Sequence, residues 1–537
     1  MPTILYQITS LFFFVVLVSN GITFLRLFED RGYSAKRLFI HLRETKKGRE
    51  AIFGRDAILK WIVIFAYMIT VFVNGIDVYY HLLVFTLYFA FFLQVVINIK
   101  NKELIIPQLS KGVLSAFGLA LFVEGFLYSF APLDQYLWIL ILDKMLLIII
   151  SLFLLAVSIA FDFRRDTVIN SAIKKISNKQ KLFSIAVVGS YNRGSTKEFI
   201  SRILSLKYNV LATNESFNDM LGISKTINAE LTDKSQIFVA EIDDYNAQDM
   251  REMCNLINPK IVVVSGINEQ KLSVFGSIEN ILASKLEAVN SLARDGIALF
   301  NGNNNLSRKI YEMTKKKKFI YFAKDEKLPA DIVATNIKEN KFNISFDITF
   351  QGKKYSITNL RLLGRQNIEN VLPAIFIGIY AGIDFSLIRE GLSKIVPLPG
   401  TMLPSKIKSG AVLIDDTHNR NINSVIRSLS YMSLYRGSKI LVLEPIVELG
   451  KKAAKLQHEI GEEIGRVCDV VFLTNDNHYP SISSGIKHSN PNCVVTVANP
   501  TKIAAFIKES SKREDVIVFE GNDAAGALSQ IQSEKIY

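Results

Sequence analysis

The stretch Ile185–Ile200, IAVVGSYNRGSTKEFI, decides how the rest of the chain is read. The apolar run Phe183–Val188 reads as a buried strand. It stops at Gly189, crosses a turn rich in Gly and Ser, and resumes with helical spacing near Thr196. Strand, small-residue turn and helix start together make a phosphate cradle, because backbone N–H groups converge there and the helix N-terminus adds its positive dipole end. The motif departs from the P-loop pattern G-x-x-x-x-G-K-[ST]. Its basic residue is Arg193, and Gly194 follows where a hydroxyl residue is expected. Taken alone, the stretch fits nucleotide binding and an ordinary strand–turn–helix junction equally well.

At 537 residues the chain exceeds a single core, and about three domains are expected. Cys254, Cys468 and Cys493 are far apart with no C-x-x-C, which argues against a disulfide framework and a cysteine zinc site. The net charge of +13 does not point to nucleic acid. Much of it lies in loops beside apolar spans, where anionic lipid is the better partner.

Five apolar stretches of spanning length fill the first third: Ile4–Phe24, Trp61–Val78, His81–Ile99, Val113–Ala131 and Tyr136–Phe161. The first has no basic n-region or small-residue cleavage site and reads as a retained span. Loops Arg26–Lys60 and Lys100–Lys111 are basic, whereas those around Asp77 and Asp134 carry almost no Lys or Arg. The positive-inside rule puts the basic loops in the cytoplasm, the N-terminus outside, and everything after Arg164 in the cytoplasm. The expected location is therefore the cytoplasmic membrane, multi-pass. Glu124, Asp143 and Lys144 fall within spans; a charge there is a functional candidate by default. With no repeated pattern suggesting a transport path, structural pairing with neighbouring helices is the favoured reading.

The expected organisation is a polytopic α-helical membrane domain (residues 1–163), a basic juxtamembrane linker (164–181), and two α/β domains (182–402 and 403–537). In the first α/β region, strands read at Phe183–Val188, Ile237–Glu241, Ile261–Ser265 and Ile297–Phe300, separated by helix-length segments, as in a parallel doubly wound sheet. Asn343–Asn359 alternates around Gly352 and reads as a hairpin. After Pro397–Gly400 a second alternation begins: Val412–Ile414, Lys439–Leu443, Val470–Leu473, Val494–Val497 and Val516–Phe519.

Read together, the loops after these strands resemble the Mur ligase family over residues 181–537. The branch they resemble most adds D-alanyl-D-alanine to a UDP-muramoyl-tripeptide. The segments are GSYNRGSTKE (189–198), TNESFNDMLG (213–222), VAEIDD (239–244), SGINEQKLSVFGSIEN (265–280), ASKLE (283–287), LLGRQNIEN (362–370), PLPG (397–400), IDDTHNRN (414–421) and VELG (447–450). The resemblance implies a P-loop-type central domain, a Rossmann-like C-terminal domain, and ATP with Mg²⁺ as cofactors. It implies amide formation through an acyl phosphate between a cell-wall precursor and an amino acid or dipeptide. It also implies roles by position. Gly189, Ser190, Asn192, Arg193, Gly194, Ser195 and Thr196 form the phosphate loop, and Asn367 lies near adenine. Glu241 binds metal, with Ser195 as a second candidate ligand. Lys285 matches a lysine that is carbamylated to bind a second metal. Asp415, Asp416 and Asn419 match the segment that closes over nucleotide and incoming amino acid; Asn218 and Lys271 are substrate-side.

The departures from the family pattern cluster in the same places. Arg193 stands for the phosphate-loop Lys, Asn192 for the small residue before it, and Gly194 for the hydroxyl residue. Arg is a planar fork, so it does not replace a P-loop Lys conservatively. Lys271 and Gln366 stand for His residues, Thr401 for an Arg and His418 for a Tyr. Two functions follow: a membrane-tethered amide ligase, or a catalytically weakened relative acting as a membrane scaffold or regulator. The family's soluble N-terminal domain for the UDP moiety has no counterpart among these segments; spans occupy its place, and a lipid-linked precursor is expected.

Overall fold

Among the described residues, the N-terminal third forms five helices: α1 (Pro2–Glu29), α2 (Arg55–Thr70), α3 (Asp77–Lys100), α4 (Lys111–Ser129) and α5 (Gln135–Ser177). The computed structural model describes residues 2–29, 55–70, 77–100, 111–130, 134–214, 217–323, 330–531 and 534–535. The basic loops lie for the most part outside the described residues. Two described helices, over Ile4–Arg26 and Val78–Ile99, are long and apolar enough to cross a bilayer; Ala57–Tyr67 and Val113–Ser129 are shorter apolar helices. Helix α2 covers the second expected span, Trp61–Val78, as far as Thr70, and residues 71–76 lie outside the described residues.

The chain divides into two units, Met1–Thr167 and Val168–Tyr537. Within the first, Phe13, Leu17, Tyr88, Leu140 and Leu142 are among the residues of a shared apolar core. Asp143 and Lys144 are partnered inside this unit, as the structural reading anticipated, whereas Glu124 is buried with neither carboxylate oxygen hydrogen-bonded among the described residues. Lys60 Nζ meets Asp143 Oδ2 at 2.7 Å with both side chains buried, and Lys144 Nζ donates to Ala57 O at 3.2 Å.

The second unit contains two sheets. In the larger, the strands are β1 (Phe183–Val188), β2 (Val210–Ala212), β3 (Ile237–Glu241), β4 (Ile261–Val264), β5 (Ile297–Asn301), β6 (Lys317–Ala323), β7 (Ile332–Glu339), β8 (Ile344–Phe350) and β9 (Lys353–Leu360). Their order is β2-β3-β1-β4-β5-β6-β7-β8-β9, parallel through β7 and antiparallel beyond it. Strand β1 shows why both faces are covered. Ile185 and Val187 point into one core, and Ala186 and Val188 into the other. The expected hairpin is present: Gln351 and Gly352 both have positive φ, 49° and 74°, as a two-residue hairpin turn requires. It is the last two strands of a meander begun by β7.

The smaller sheet has strands β10 (Leu403–Lys406), β11 (Val412–Asp416), β12 (Lys439–Leu443), β13 (Val470–Leu473), β14 (Val494–Val497), β15 (Val516–Glu520) and β16 (Glu534–Lys535), in the order β14-β13-β12-β15-β11-β10-β16. Strands β11 to β15 are mutually parallel, with β10 antiparallel to β11 and β16 antiparallel to β10 at the edge. Register aligns Asp416 on β11 with Glu520 on β15, so two acids end adjacent parallel strands. Loops and helices at such carboxyl ends form the ligand crevice of open α/β sheets.

Candidate nucleotide-binding site

The turn after β1 is shaped by backbone conformation. Gly189 has φ +150°, and a Cβ there would lie 2.2 Å from Ser265 Oγ. Asn192 takes the left-handed conformation at φ 65°, and Arg193 opens helix α6 (Arg193–Leu204). Asn tolerates that conformation better than most residues, which accounts for its standing where a small residue is expected. The N–H groups of Ser190 and Tyr191 both donate to Gly266 O, at 2.6 and 3.3 Å, so the turn is pinned to the loop after β4. Thr196 Oγ1 is buried in the first turn of α6 with no hydrogen-bond partner.

Glu241 ends β3 beside this turn and is 6% exposed. Its Oε1 accepts from Asn218 Nδ2 at 3.1 Å and from Arg193 Nε at 3.4 Å. Its Oε2 lies against Gly194, where a Cβ would come within 3.3 Å. A larger residue at position 194 would crowd the carboxylate. The Arg193 fork also bonds Gly189 O and places Nη2 3.1 Å from Asp243 Oδ1. Lys271 Nζ holds both oxygens of Asp243 at 2.7 Å and lies 4.4 Å from the centroid of the Tyr245 ring. Burial opposes ionisation of Asp243, but Arg193 and then Lys271 outweigh it and hold the carboxyl well below the usual range. Next in sequence, buried Asp244 bonds Lys285 Nζ and Ser284 Oγ. Lys285 projects from helix α10 (Ile278–Asn290), which Ser277 caps through the N–H of Asn280. The segment Glu241–Asp244 is thus a row of acids, each charge balanced by a cation from another element.

The C-terminal part of the unit reaches the same turn. Arg427, on helix α14 (Ile422–Met432), donates to Asn192 Oδ1 at 2.7 Å, lies over the Tyr191 ring at 4.6 Å and faces Glu369 Oε2 at 3.8 Å. Asn423 Oδ1 accepts from Asn268 Nδ2 at 2.7 Å.

The other expected residues are held by their own surroundings. Asn367 is buried at the start of helix α12 (Asn367–Tyr380), donating to Leu363 O and accepting from Asn370. Asp415 accepts from Gly400 N, Thr417 N and Thr417 Oγ1. Asp416 accepts from Met402 N at 2.9 Å and Asn419 Nδ2 at 2.7 Å. Together they clip the Pro397–Met402 connection onto the end of β11. Burial, then the neighbouring charge of Asp415, push the Asp416 carboxyl up to about 6, although Asn419 and Glu520 bond it. Burial beside Asp416 raises Glu520 well above its ordinary value.

Arg193, Glu241, Asn218 and Lys271 therefore meet in one cluster. Lys285 is joined to the same acidic segment through Asp244, whereas Asn367 and Asp415–Asn419 bond elsewhere. Sequence reasoning passed over Asp243, Asp244 and Arg427. Asp243 and Asp244 sit in the quoted VAEIDD, where consecutive acids after a strand were a usable signal; Arg427 gave none.

A parallel sheet with a phosphate cradle and acids at the next strand end, joined to a second parallel sheet, is an arrangement that suits nucleotide binding. Residues 187–378 match the Mur ligase middle domain. Among relatives, the chain is similar to UDP-N-acetylmuramoyl-tripeptide–D-alanyl-D-alanine ligase of Escherichia coli (strain K12), 26% identical over 304 residues, covering 56% of this chain and 67% of the relative. The same-named ligase of Bacillus subtilis (strain 168) is 26% identical over 341 residues, covering 63% and 72%. The matched part of the chain spans about two thirds of the length of these relatives. Among solved structures, MurF from Acinetobacter baumannii superposes with TM-score 0.61 at 19% identity, covering 68% of this chain and 79% of that one. MurF ligase from Thermotoga maritima in complex with ADP gives 0.59 at 20% identity, covering 68% and 83%. At these identities the structural likeness bears on the fold.

Proposed function

We propose that the chain is a membrane-anchored, ATP-dependent amide ligase of peptidoglycan-precursor type. The observation that carries this reading is the convergence of the Gly189–Thr196 turn, the Glu241–Asp244 acids and helix α14 at one place. In the reaction, the γ-phosphoryl of ATP passes to a substrate carboxylate and ADP leaves. The amine of an amino acid or dipeptide attacks the acyl carbon; phosphate leaves, the amine gives up a proton, and the amide remains. The acceptors are proposed by likeness to the relatives: a muramoyl-tripeptide precursor, here lipid-linked or handed over at the membrane, and D-alanyl-D-alanine.

The donor set suits Mg²⁺. Glu241 and Asp243 offer hard carboxylate oxygens, and the buried Thr196 hydroxyl at the helix start lacks a partner. Glu241 would hold the ion, with Ser195 beside it; a bound Mg²⁺ would neutralise phosphate charge. Arg193 must then exchange carboxylate for phosphate, a planar bidentate partner it binds well. Lys271 adds a second cation on the substrate side, near Asn218. Lys285 would have to release Asp244 to be carbamylated, since a neutral amine is required. In this reading Asn367 would lie near the adenine, and Asp415, Asp416 and Asn419, which hold the Pro397–Met402 connection, would help bring the C-terminal sheet over the nucleotide. The five helices, with anionic lipid at their basic loops, would hold the ligase at the cytoplasmic face of the membrane.

The test is turnover by the full chain in detergent. ADP release should require both a muramoyl-tripeptide acceptor and D-alanyl-D-alanine and be lost in Glu241→Ala; no release with soluble or lipid-linked acceptors would refute the reading. One observation favours a second reading, the weakened scaffold or regulator: Arg193 and Lys271 already neutralise Glu241 and Asp243. Persistence of that lattice with saturating ATP and Mg²⁺ would select it.

A further inference from the structure

Helices α15 (Ala453–Val467) and α16 (Tyr479–Ser489) meet backbone to backbone at three glycines. A Cβ on Gly485 would fall 2.1 Å from His458 O, one on Gly461 2.4 Å from Ile482 O, and one on Gly465 2.6 Å from Ile486 O. Contact this close fixes the two helices against axial sliding, because any slide drives backbone into backbone. Side chains projecting from the seam therefore keep a defined separation.

Three such side chains converge. His458 and Glu462 are one turn apart on α15 and share a face, and His488 comes from α16. Glu462 Oε1 lies 2.6 Å from His488 Nδ1 and 3.5 Å from His458 Nε2. The two imidazoles stack with centroids 6.2 Å apart at 24°. One ligating atom from each residue lies within 4.8 Å of the others. Atoms bound to a tetrahedral Zn²⁺ sit roughly 3.3 Å apart, so small rotations would bring these three around one ion.

We infer that His458, Glu462 and His488 form a divalent transition-metal site of the Zn²⁺ class that staples α15 to α16. Two imidazoles select a borderline metal over Mg²⁺ or Ca²⁺, and three protein ligands leave a fourth position for water. The nearest opposing charge is Arg466, whose Nη2 lies 4.0 Å from Glu462 Oε2. Arg466 also pairs with Glu463 and is 56% exposed, so it turns to solvent at little cost. The site draws on two of the chain's six histidines and is independent of the phosphate cradle.

The test uses the full chain in detergent, stripped with EDTA and titrated with Zn²⁺ by calorimetry and with Co²⁺ by visible absorption, in excess Mg²⁺. The expected result is one Zn²⁺ per chain and Co²⁺ bands of a nitrogen–oxygen site. Affinity should fall roughly tenfold or more in His458→Ala, His488→Ala and Glu462→Gln, and stay unchanged in Glu241→Ala. His488 is 72% exposed, so an unaltered metal-free unfolding transition in His488→Ala is the folding control. Absence of saturable binding, or binding unchanged in the His458→Ala/His488→Ala double variant, overturns the site.

Discussion

Arg193 Nη2 stands 3.1 Å from Asp243 Oδ1, and the same guanidinium bonds the carbonyl of Gly189 at the head of the phosphate turn. One side chain thus spans the cradle and the acids where metal is expected. Its substitution should have two separable effects. Arg193→Ala should weaken ATP binding by about 1.5–3 kcal/mol, the worth of hydrogen bonds to a charged group. It should also lower the unfolding midpoint in EDTA and regain part of it with Mg²⁺, because Glu241 loses its internal cation. Calorimetric ATP titration and thermal unfolding with and without Mg²⁺ check both.

Gly189→Ala attacks the backbone of the turn. The new methyl meets Ser265 Oγ, which is tied to Val188 O and Tyr191 O, at a φ that side chains rarely adopt. A cost of about 1–3 kcal/mol is expected. Hydrogen exchange of peptides covering residues 183–204 should rise, while exchange in 403–531 stays near wild type.

The Asp416–Glu520 pair gives the C-terminal sheet a pH dependence of defined sign. The folded-state value of Asp416, raised to about 6, means that its contribution to stability is fully present below the unfolded value and lost as pH rises through about 6. Stability of residues 403–531 should therefore fall between pH 4 and pH 7, by roughly 1–3 kcal/mol. Asp416→Asn keeps an oxygen acceptor for Met402 N–H and should flatten the profile. Hydrogen exchange at a series of pH values measures it; an unchanged slope in the variant would refute the assignment.

In the helical unit, Lys60→Met leaves Asp143 buried without its cation. Breaking a buried pair costs about 3–5 kcal/mol, and the double variant Lys60→Met/Asp143→Leu should recover most of it. Trp61 and Trp138, the chain's two tryptophans, both lie in this unit, so their fluorescence follows its unfolding in detergent.

The parallel strands of both sheets were legible because continuous β-branched runs such as Ile261–Val264 are buried on both faces. Strands β2, β6 and β7 were not. The first is three residues long, the second begins inside the Lys315–Lys318 run, and the third alternates weakly along its exposed half. The ordered loop segments made the Mur ligase resemblance readable. The charge lattice was hidden for a different reason. Whether Arg193 faces phosphate or acid depends on the distance between α6 and the end of β3, and the Asp416–Glu520 pairing depends on strand register; both are tertiary quantities. The five-helix reading rested on hydropathy, which locates apolar helices from length and composition.

The most direct measurement is ATP binding by the full chain in detergent, with Mg²⁺ and with EDTA, for wild type and Glu241→Ala. The account predicts saturable binding strengthened by Mg²⁺ in the wild type, with that strengthening lost in the variant. No binding at about 1 mM ATP, far above the concentration at which a specific site saturates, would contradict a nucleotide site built on Arg193 and Glu241.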